Sequence, residues 1–555
     1  MKRLAVLAAA LTVTGAASAA DFSIVEASVT DMQKALKEGR VTSHELVAQS
    51  LARIAMYENQ LNSTLAVAKD AFAQADALDR ERAAGKIRGP LHGIPIAIKD
   101  NINTTDMPTT AGTLAFEGLV PPYEATLTKN LRDGGAIIVA KTVMTEMANW
   151  MVLGMPNNYS SLGGYAFNPY DTRRDPRPGM DDGRGAMITG SSSSGSGTAM
   201  SLWALNFGTE TTVSIIGPSS NNMLVGIKPT LGRVSRWGII PVSLDQDTAG
   251  PMARNVTDAA IALGVAESVT PDPNDNLSKR CAPPSGHDYT QFLKPDSLKG
   301  ARIGVPRASF VDDITLSTGE KKTGVPADQK KMLEEAIAAL RAAGATVVDA
   351  DIPSVLAKDP AKNILSKDVC HALNGVGFKG NDSICTTTLK YSFKRDINAY
   401  LASLGAKAPF KNLTEMRAWN VAHAKMNTMK YGQGTMDMSD DADMVADKAH
   451  YDADRAWEVK LAGQEGVDAA LKKNKLDAII FLGQRGDGFV AKAGYPTITV
   501  PFGMVENGTG WPAGWTPKPI PLGITFSATA CSEPRLIALA YAFEQATKRR
   551  RPPGL

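Results

Sequence analysis

From residue 94 onward the chain repeatedly alternates short, mostly apolar stretches of three to five residues with stretches of helical spacing, without any internal sequence repeat. Segments 94–98, 136–140, 301–305, 346–348, 478–482, 497–500 and 523–526 read as strands, and 126–132, 327–343 and 536–547 as helices. Strands that are apolar on both alternating sides have to be covered on both sides. The pattern therefore predicts an α/β protein whose sheet lies between helical layers. Residues 24–84 read as helices that precede the sheet. Thr30 with Gln33, and Thr42 with Glu45, have capping-box spacing, and Leu46, Val47, Leu51, Ile54 and Ala55 share one helical face behind the second box.

Two regions break the repeat. Residues 168–185 are rich in Asp, Arg, Pro and Gly and read as an exposed loop. Residues from about 358 to 475 are polar and mainly helical, with an acidic stretch at 437–443, and read as an insertion on a single domain spanning 21–555. The final basic run, Lys548-Arg549-Arg550-Arg551, reads as a solvated tail.

Residues 1–20 have a different character. Lys2 and Arg3 precede an apolar stretch from Leu4 to Ala17, and small residues run up to Ala20. This is the layout of a signal peptide cut after Ala19 or Ala20, and about 14 apolar residues fall short of the roughly 20 a membrane span needs. The expectation is a periplasmic or secreted protein without stable membrane insertion. The chain holds 60 Lys and Arg against 57 Asp and Glu, so without Lys2 and Arg3 the excess of positive charge is one. That balance offers nothing to draw nucleic acid. An exported protein can form disulfides, and Cys281, Cys370, Cys385 and Cys531 allow three full pairings. Cys370 and Cys385 are the nearest pair; Cys531, behind an apolar strand, reads at least equally well as a buried free thiol. The six histidines are scattered and there is no C-x-x-C or H-E-x-x-H, so neither metal nor cofactor is expected.

Three segments can carry chemistry. Gly190-Ser191-Ser192-Ser193-Ser194-Gly195-Ser196-Gly197 leads into 198–205, which reads as a packed helix. Such a run is either a flexible linker or a turn whose N–H groups and hydroxyls approach a ligand. Ser214 follows in Thr211-Thr212-Val213-Ser214-Ile215-Ile216-Gly217. Lys99 ends the apolar run 94–98 and is either a surface lysine paired with Asp100 or a desolvated amine able to act as a base. The second reading needs a downward shift of about three pKa units, or roughly 4 kcal/mol.

Taken in order, segments 91–101, 110–113, 135–149, the Gly/Ser run, Ser214-Ile215, 225–235, 247–254, Gly494-Tyr495-Pro496 and 539–545 resemble the amidase signature family of serine hydrolases. The form of the Thr209-Glu210-Thr211 and 246–251 segments looks closest to its peptide-amidase-like branch, while 360–475 carries little recognisable similarity. The resemblance implies a large twisted mixed sheet with helices on both faces and a Ser–Ser–Lys triad. Ser214 would be the nucleophile that forms an acyl-enzyme. Ser192, with Ser193 as the alternative, would bridge from a cis peptide bond, and Lys99 would be the base. The N–H groups of Thr211, Thr212, Val213 and Ser214 would form the oxyanion hole, and the substrate would be a small amide or peptide amide. Esters, carbamates and aryl acylamides are the neighbouring substrate classes. The competing readings are a pocket that binds without turnover and the glutamyl-tRNA amidotransferase subunit; the leader and near-neutral charge speak against the latter. The sequence departs from the family where Thr212-Val213 stands in place of a Gly-containing pair and Ile216 in place of Arg. β-Branched residues rarely take positive φ, so either this loop is ordinary backbone or the hole is reshaped.

Overall fold

The computed structural model describes residues 22–370 and 385–555; the signal-peptide reading of 1–20 lies outside the described residues. Eleven strands form one sheet: β1 Thr64–Val67, β2 Pro95–Lys99, β3 Ile137–Thr142, β4 Asn206–Glu210, β5 Val225–Lys228, β6 Thr248–Ala253, β7 Arg302–Val305, β8 Thr346–Asp349, β9 Ala478–Leu482, β10 Thr497–Val505 and β11 Ile520–Ser527. They lie in the order β1-β3-β2-β4-β6-β5-β10-β11-β9-β7-β8. β2 runs parallel to both β3 and β4, and β7 parallel to β8 and β9. The central pairs from β4 to β9 are antiparallel, so the sheet is mixed. Every residue of β2, β3, β4 and β9 is buried, which requires packed layers on both faces.

The strands predicted from residue 94 onward are present with shifted ends, and Ala478–Leu482 keeps its bounds; the segment 24–84, expected to be all helix, also supplies the edge strand Thr64–Val67, which pairs with β3. The Thr42–Glu45 capping box forms: Thr42 N donates to Glu45 Oε2 at 2.7 Å and Glu45 N to Thr42 Oγ1 at 3.1 Å, starting helix Ser43–Leu61. The first helix, Val29–Lys37, is capped by Ser28 with Asp31 and not by Thr30 with Gln33. Gln33 instead donates to Pro90 O and His92 O, joining the helix to the chain before β2.

Three expectations fail because tertiary contacts outweigh local character. The helix expected over 198–205 is confined to Ser196–Ala199, because Ser201 takes a φ of 56° and turns the chain toward β4. Segment 168–185 is not a free loop: Asp171 and Asp175 are buried, and each grips the arginine two residues on. Arg173 and Arg177 then lie over the rings of Trp515 and Trp511, at 4.1 and 3.8 Å. Nor is the basic tail loose. Arg550 pairs with Glu26, Tyr170 donates to Arg551 O, and Arg549 lies over Phe502.

Helices Thr388–Ser403, Leu413–Ala422 and Gly434–Asp440 come from the region read as an insertion. Their apolar faces, with Phe393, Ile397, Leu401, Met416 and Met436, share a core with Met144, Met147, Trp150 and Met151 from the chain after β3. Each large side chain buried there contributes about 1.5–3 kcal/mol, which fixes the helical layer over the ends of β2–β4. Among the described residues no helix is long and apolar enough to cross a membrane.

Both disulfides are formed, Cys370–Cys385 and Cys281–Cys531, so Cys531 is not a free thiol. The second ties the segment before helix Glu533–Thr547 to the chain 250 residues earlier. Non-reducing peptide mapping should recover these two cross-links. Cys531→Ser should lower unfolding free energy by about 2–4 kcal/mol in a denaturant titration; an unchanged midpoint would show that the 281–531 link carries no stability.

Candidate active site

β2 and β4 are parallel neighbours with Ile98 opposite Phe207, so their C-terminal ends come out side by side. Lys99 ends β2 with no exposed surface. Its Nζ lies 2.7 Å from Ser192 Oγ, 3.0 Å from Thr209 O and 2.9 Å from Thr209 Oγ1. Burial pulls the Lys99 amine down to about 7, against the opposing pull of the Asp247 and Glu210 carboxylates. The shift required of a lysine base is thus supplied by the dry end of the sheet.

The Gly/Ser run is a packed turn and not a linker. Gly190 has a φ of 99°, and a Cβ there would lie 2.3 Å from Pro218 N, so only glycine lets this turn close on the helix Ile216–Asn221. At Gly197 a Cβ would overlap the Trp203 ring at 2.2 Å. Ser191, Ser192 and Ser193 divide by direction. Ser192 meets Lys99. Ser193 donates to Thr209 O at 3.0 Å and accepts from Thr209 N at 3.2 Å, which commits its hydroxyl to β4. Ser191 Oγ lies 2.9 Å from Ser214 Oγ. Among the described residues no hydrogen bond joins Ser192 to Ser214; Ser191 is the serine of the turn that meets Ser214. Ser191 was missed because four consecutive serines differ only in where the turn points them.

Residues 211–214 all have negative φ, which resolves the question raised by Thr212 and Val213: the loop is ordinary backbone. Asp247 anchors its start, accepting from Thr211 Oγ1 at 2.6 Å and from the N–H groups of Val242 and Ser243 at 2.8 Å each. Glu210 anchors its end, Oε2 accepting from Ile215 N at 2.6 Å and Ile216 N at 2.9 Å. The N–H groups of Thr211, Thr212, Val213 and Ser214 have no acceptor among the described residues. They are free to face a developing negative charge.

In front of Ser214 lies a cavity of about 200 Å³. Trp150, Leu153, Val242, Val369 and Leu389 form apolar walls, Asn149 and Thr435 are polar, and no ionisable side chain lines it among the described residues. The rim residues Met147, Ala148 and Asn149 have φ of 46°, 52° and 75°. Three left-handed residues in succession cost about 1–2 kcal/mol each, and Met147 N donating to Ala111 O and Ala148 N to Thr145 O help hold them. No local sequence signal marks that strain.

The amidase family model matches residues 45–431 of the chain, reaching into the segment that had shown little similarity. The native peptide amidase from Stenotrophomonas maltophilia is 35% identical with a TM-score of 0.77, over 95% of this chain and 98% of that one. An amidase family protein from Bacillus anthracis is 30% identical with a TM-score of 0.76, over 96% and 93%. A probable amidase of Arabidopsis thaliana is 33% identical over 539 residues, 96% of this chain and 92% of its own length. With this match, and with a buried lysine, a serine turn and an apolar cavity at one end of the sheet, the chain belongs to the amidase family of hydrolases.

Proposed function

We propose that the protein is an exported amidase that cleaves the C–N bond of small uncharged amides, peptide amides foremost, through an acyl-enzyme on Ser214. One observation carries the reading: a fully buried lysine amine and Ser214 each hold a hydroxyl of the same serine turn, at 2.7 and 2.9 Å. A neutral amine has two N–H donors and one lone pair. The donors suit the two oxygens of Thr209, and the lone pair suits the hydroxyl hydrogen of Ser192.

In this scheme Ser214 Oγ attacks the carbonyl carbon and its proton enters the serine turn at Ser191. Ser191 passes its own proton to Ser192 once these neighbouring hydroxyls, which share no hydrogen bond among the described residues, rotate toward each other, and Ser192 passes its own to Lys99 Nζ. The carbonyl oxygen, now negative, meets the free N–H groups of 211–214, each such donor being worth about 3 kcal/mol. The proton returns along the same hydroxyls to the leaving nitrogen and the C–N bond breaks. Water, deprotonated by the same lysine, then releases the acid. Apolar walls with no ionisable side chain among the described residues favour uncharged acyl groups, because a buried unpaired charge is costly. The likeness to a peptide amidase supports the choice of substrate.

Lys99→Ala and Ser214→Ala should lower kcat toward an apolar peptide amide by about 10⁴-fold or more, and Ser191→Ala and Ser192→Ala by about 10²-fold or more, with unchanged circular dichroism. Near-full turnover without Lys99 or Ser214 would end the proposal. So would failure of a fluorophosphonate to label Ser214, the result expected of a pocket that only binds.

The amine must be uncharged to act. With Lys99 drawn down to about 7, kcat/KM should rise through about pH 7, level off above it, and fall about tenfold per unit well below. An acid limb centred near 10, the ordinary lysine range, would contradict a desolvated base. Export rests on residues 1–20 and on the two disulfides. In the same peptide map the mature N-terminus should be Ala20 or Asp21; retention of Lys2 and Arg3 in the extracytoplasmic protein would refute cleavage.

A further inference from the structure

Behind the nucleophile loop two carboxyl groups lie in a dry part of the core, each with one oxygen unpartnered. Glu210, 1% exposed, uses Oε2 to hold Ile215 N and Ile216 N, and its Oε1 is buried with no donor. Asp487 opens the helix Asp487–Lys492 with no exposed surface. Its Oδ1 accepts from Thr497 Oγ1 at 2.6 Å and lies 3.8 Å from Lys228 Nζ; its Oδ2 is buried with no donor. A Cβ at Gly488, the next residue, would lie 3.9 Å from Thr212 Cβ, so the start of this helix packs against the nucleophile loop that Glu210 holds. Two ionised carboxylates offer only acceptors, so these two oxygens, left without a donor, can satisfy each other only through a proton on one of them. Charge balance asks for the same proton: Lys228 can neutralise one carboxylate, and Ile216 beside them brings no cation.

We propose that Asp487 is a positioning residue that stays protonated and donates to Glu210, so that the Glu210 carboxylate remains aimed at the two N–H groups directly after Ser214. The inference rests on the reading of Ser214 as nucleophile and Lys99 as base. Burial and the neighbouring Glu210 charge both push the Asp487 carboxyl well above the usual range. Lys99 already feels Glu210 and Asp247. A further negative charge on Asp487, behind Glu210, would raise its proton affinity and work against a neutral amine; a protonated Asp487 holds the loop without adding charge.

Asp487→Asn and Asp487→Ala in the full chain separate the possibilities. Asparagine keeps a neutral donor toward Glu210, so kcat should stay within about threefold of the parent. Alanine removes the donor, so kcat should fall about tenfold or more while KM stays within about twofold. In both variants the acid limb of the pH–rate profile should keep its midpoint, since no charge has been removed. If asparagine is as damaging as alanine and the acid limb moves to lower pH in both, Asp487 is an ionised partner of Lys228 and the proposal is wrong. Full activity in both variants also overturns it. Should alanine prevent folding, infrared spectroscopy decides: a protonated-carboxyl carbonyl band should be present in the parent at pH 8 and absent from Asp487→Asn, and its absence from the parent overturns the proposal. Ser214 labelling keeps the outcomes distinct. A parent that fails to label loses the hydrolase reading, while the infrared band still reports the proton on Asp487.

Discussion

Putting an amine at the dry end of a parallel strand pair organises the rest of this molecule. A lysine there cannot keep an ordinary charge without heavy loss of solvation, so it is either paired or neutral. Among the described residues Lys99 has no carboxylate in direct contact. Its neighbours are Thr209 O, Thr209 Oγ1 and Ser192 Oγ, which a neutral amine can satisfy completely. The parallel register of β2 and β4 brings Thr209 to it, and the close packing of Gly190 on Pro218 brings the serine turn. Backbone pairing, glycine packing and proton chemistry are linked at this point, so a change in any one disturbs the others.

Carboxylates do the remaining work at a distance. Asp247 fixes the start of the nucleophile loop and Glu210 its end, leaving the intervening N–H groups without partners. Unsatisfied backbone donors are expensive in a core and useful beside a reacting carbonyl. The residues on either side meet their own backbone needs, so the cost is confined to four positions.

Much of this was legible in the residues. The strand ending at Lys99 and the buried run 478–482 follow from apolar patterning alone, because a doubly covered strand has no polar face to disguise it. The Gly/Ser run and Ser214 stand out by composition. What escaped reading depends on contacts made far along the chain. Ser201 ends a helix through backbone strain; Arg173 and Arg177 are held by tryptophans more than 300 residues away. Cys531 has its partner 250 residues earlier. Serines 191 to 194 are chemically identical, and only the turn distinguishes them. Glu210 and Asp487 look like surface residues until the fold removes their water.

The walls of the cavity have a different origin from its floor. Ser191 and Thr211 to Ser214 belong to the turns of the sheet, whereas Leu389 and Thr435 belong to the helical layer above and Val369 to the short strand that precedes it. Mutations that reshape the upper walls leave the proton path untouched, and those that tune the lysine leave the walls untouched. The two traits can therefore drift on separate stretches of gene with little pleiotropy, which makes the helical layer the natural ground for directed evolution of new preferences.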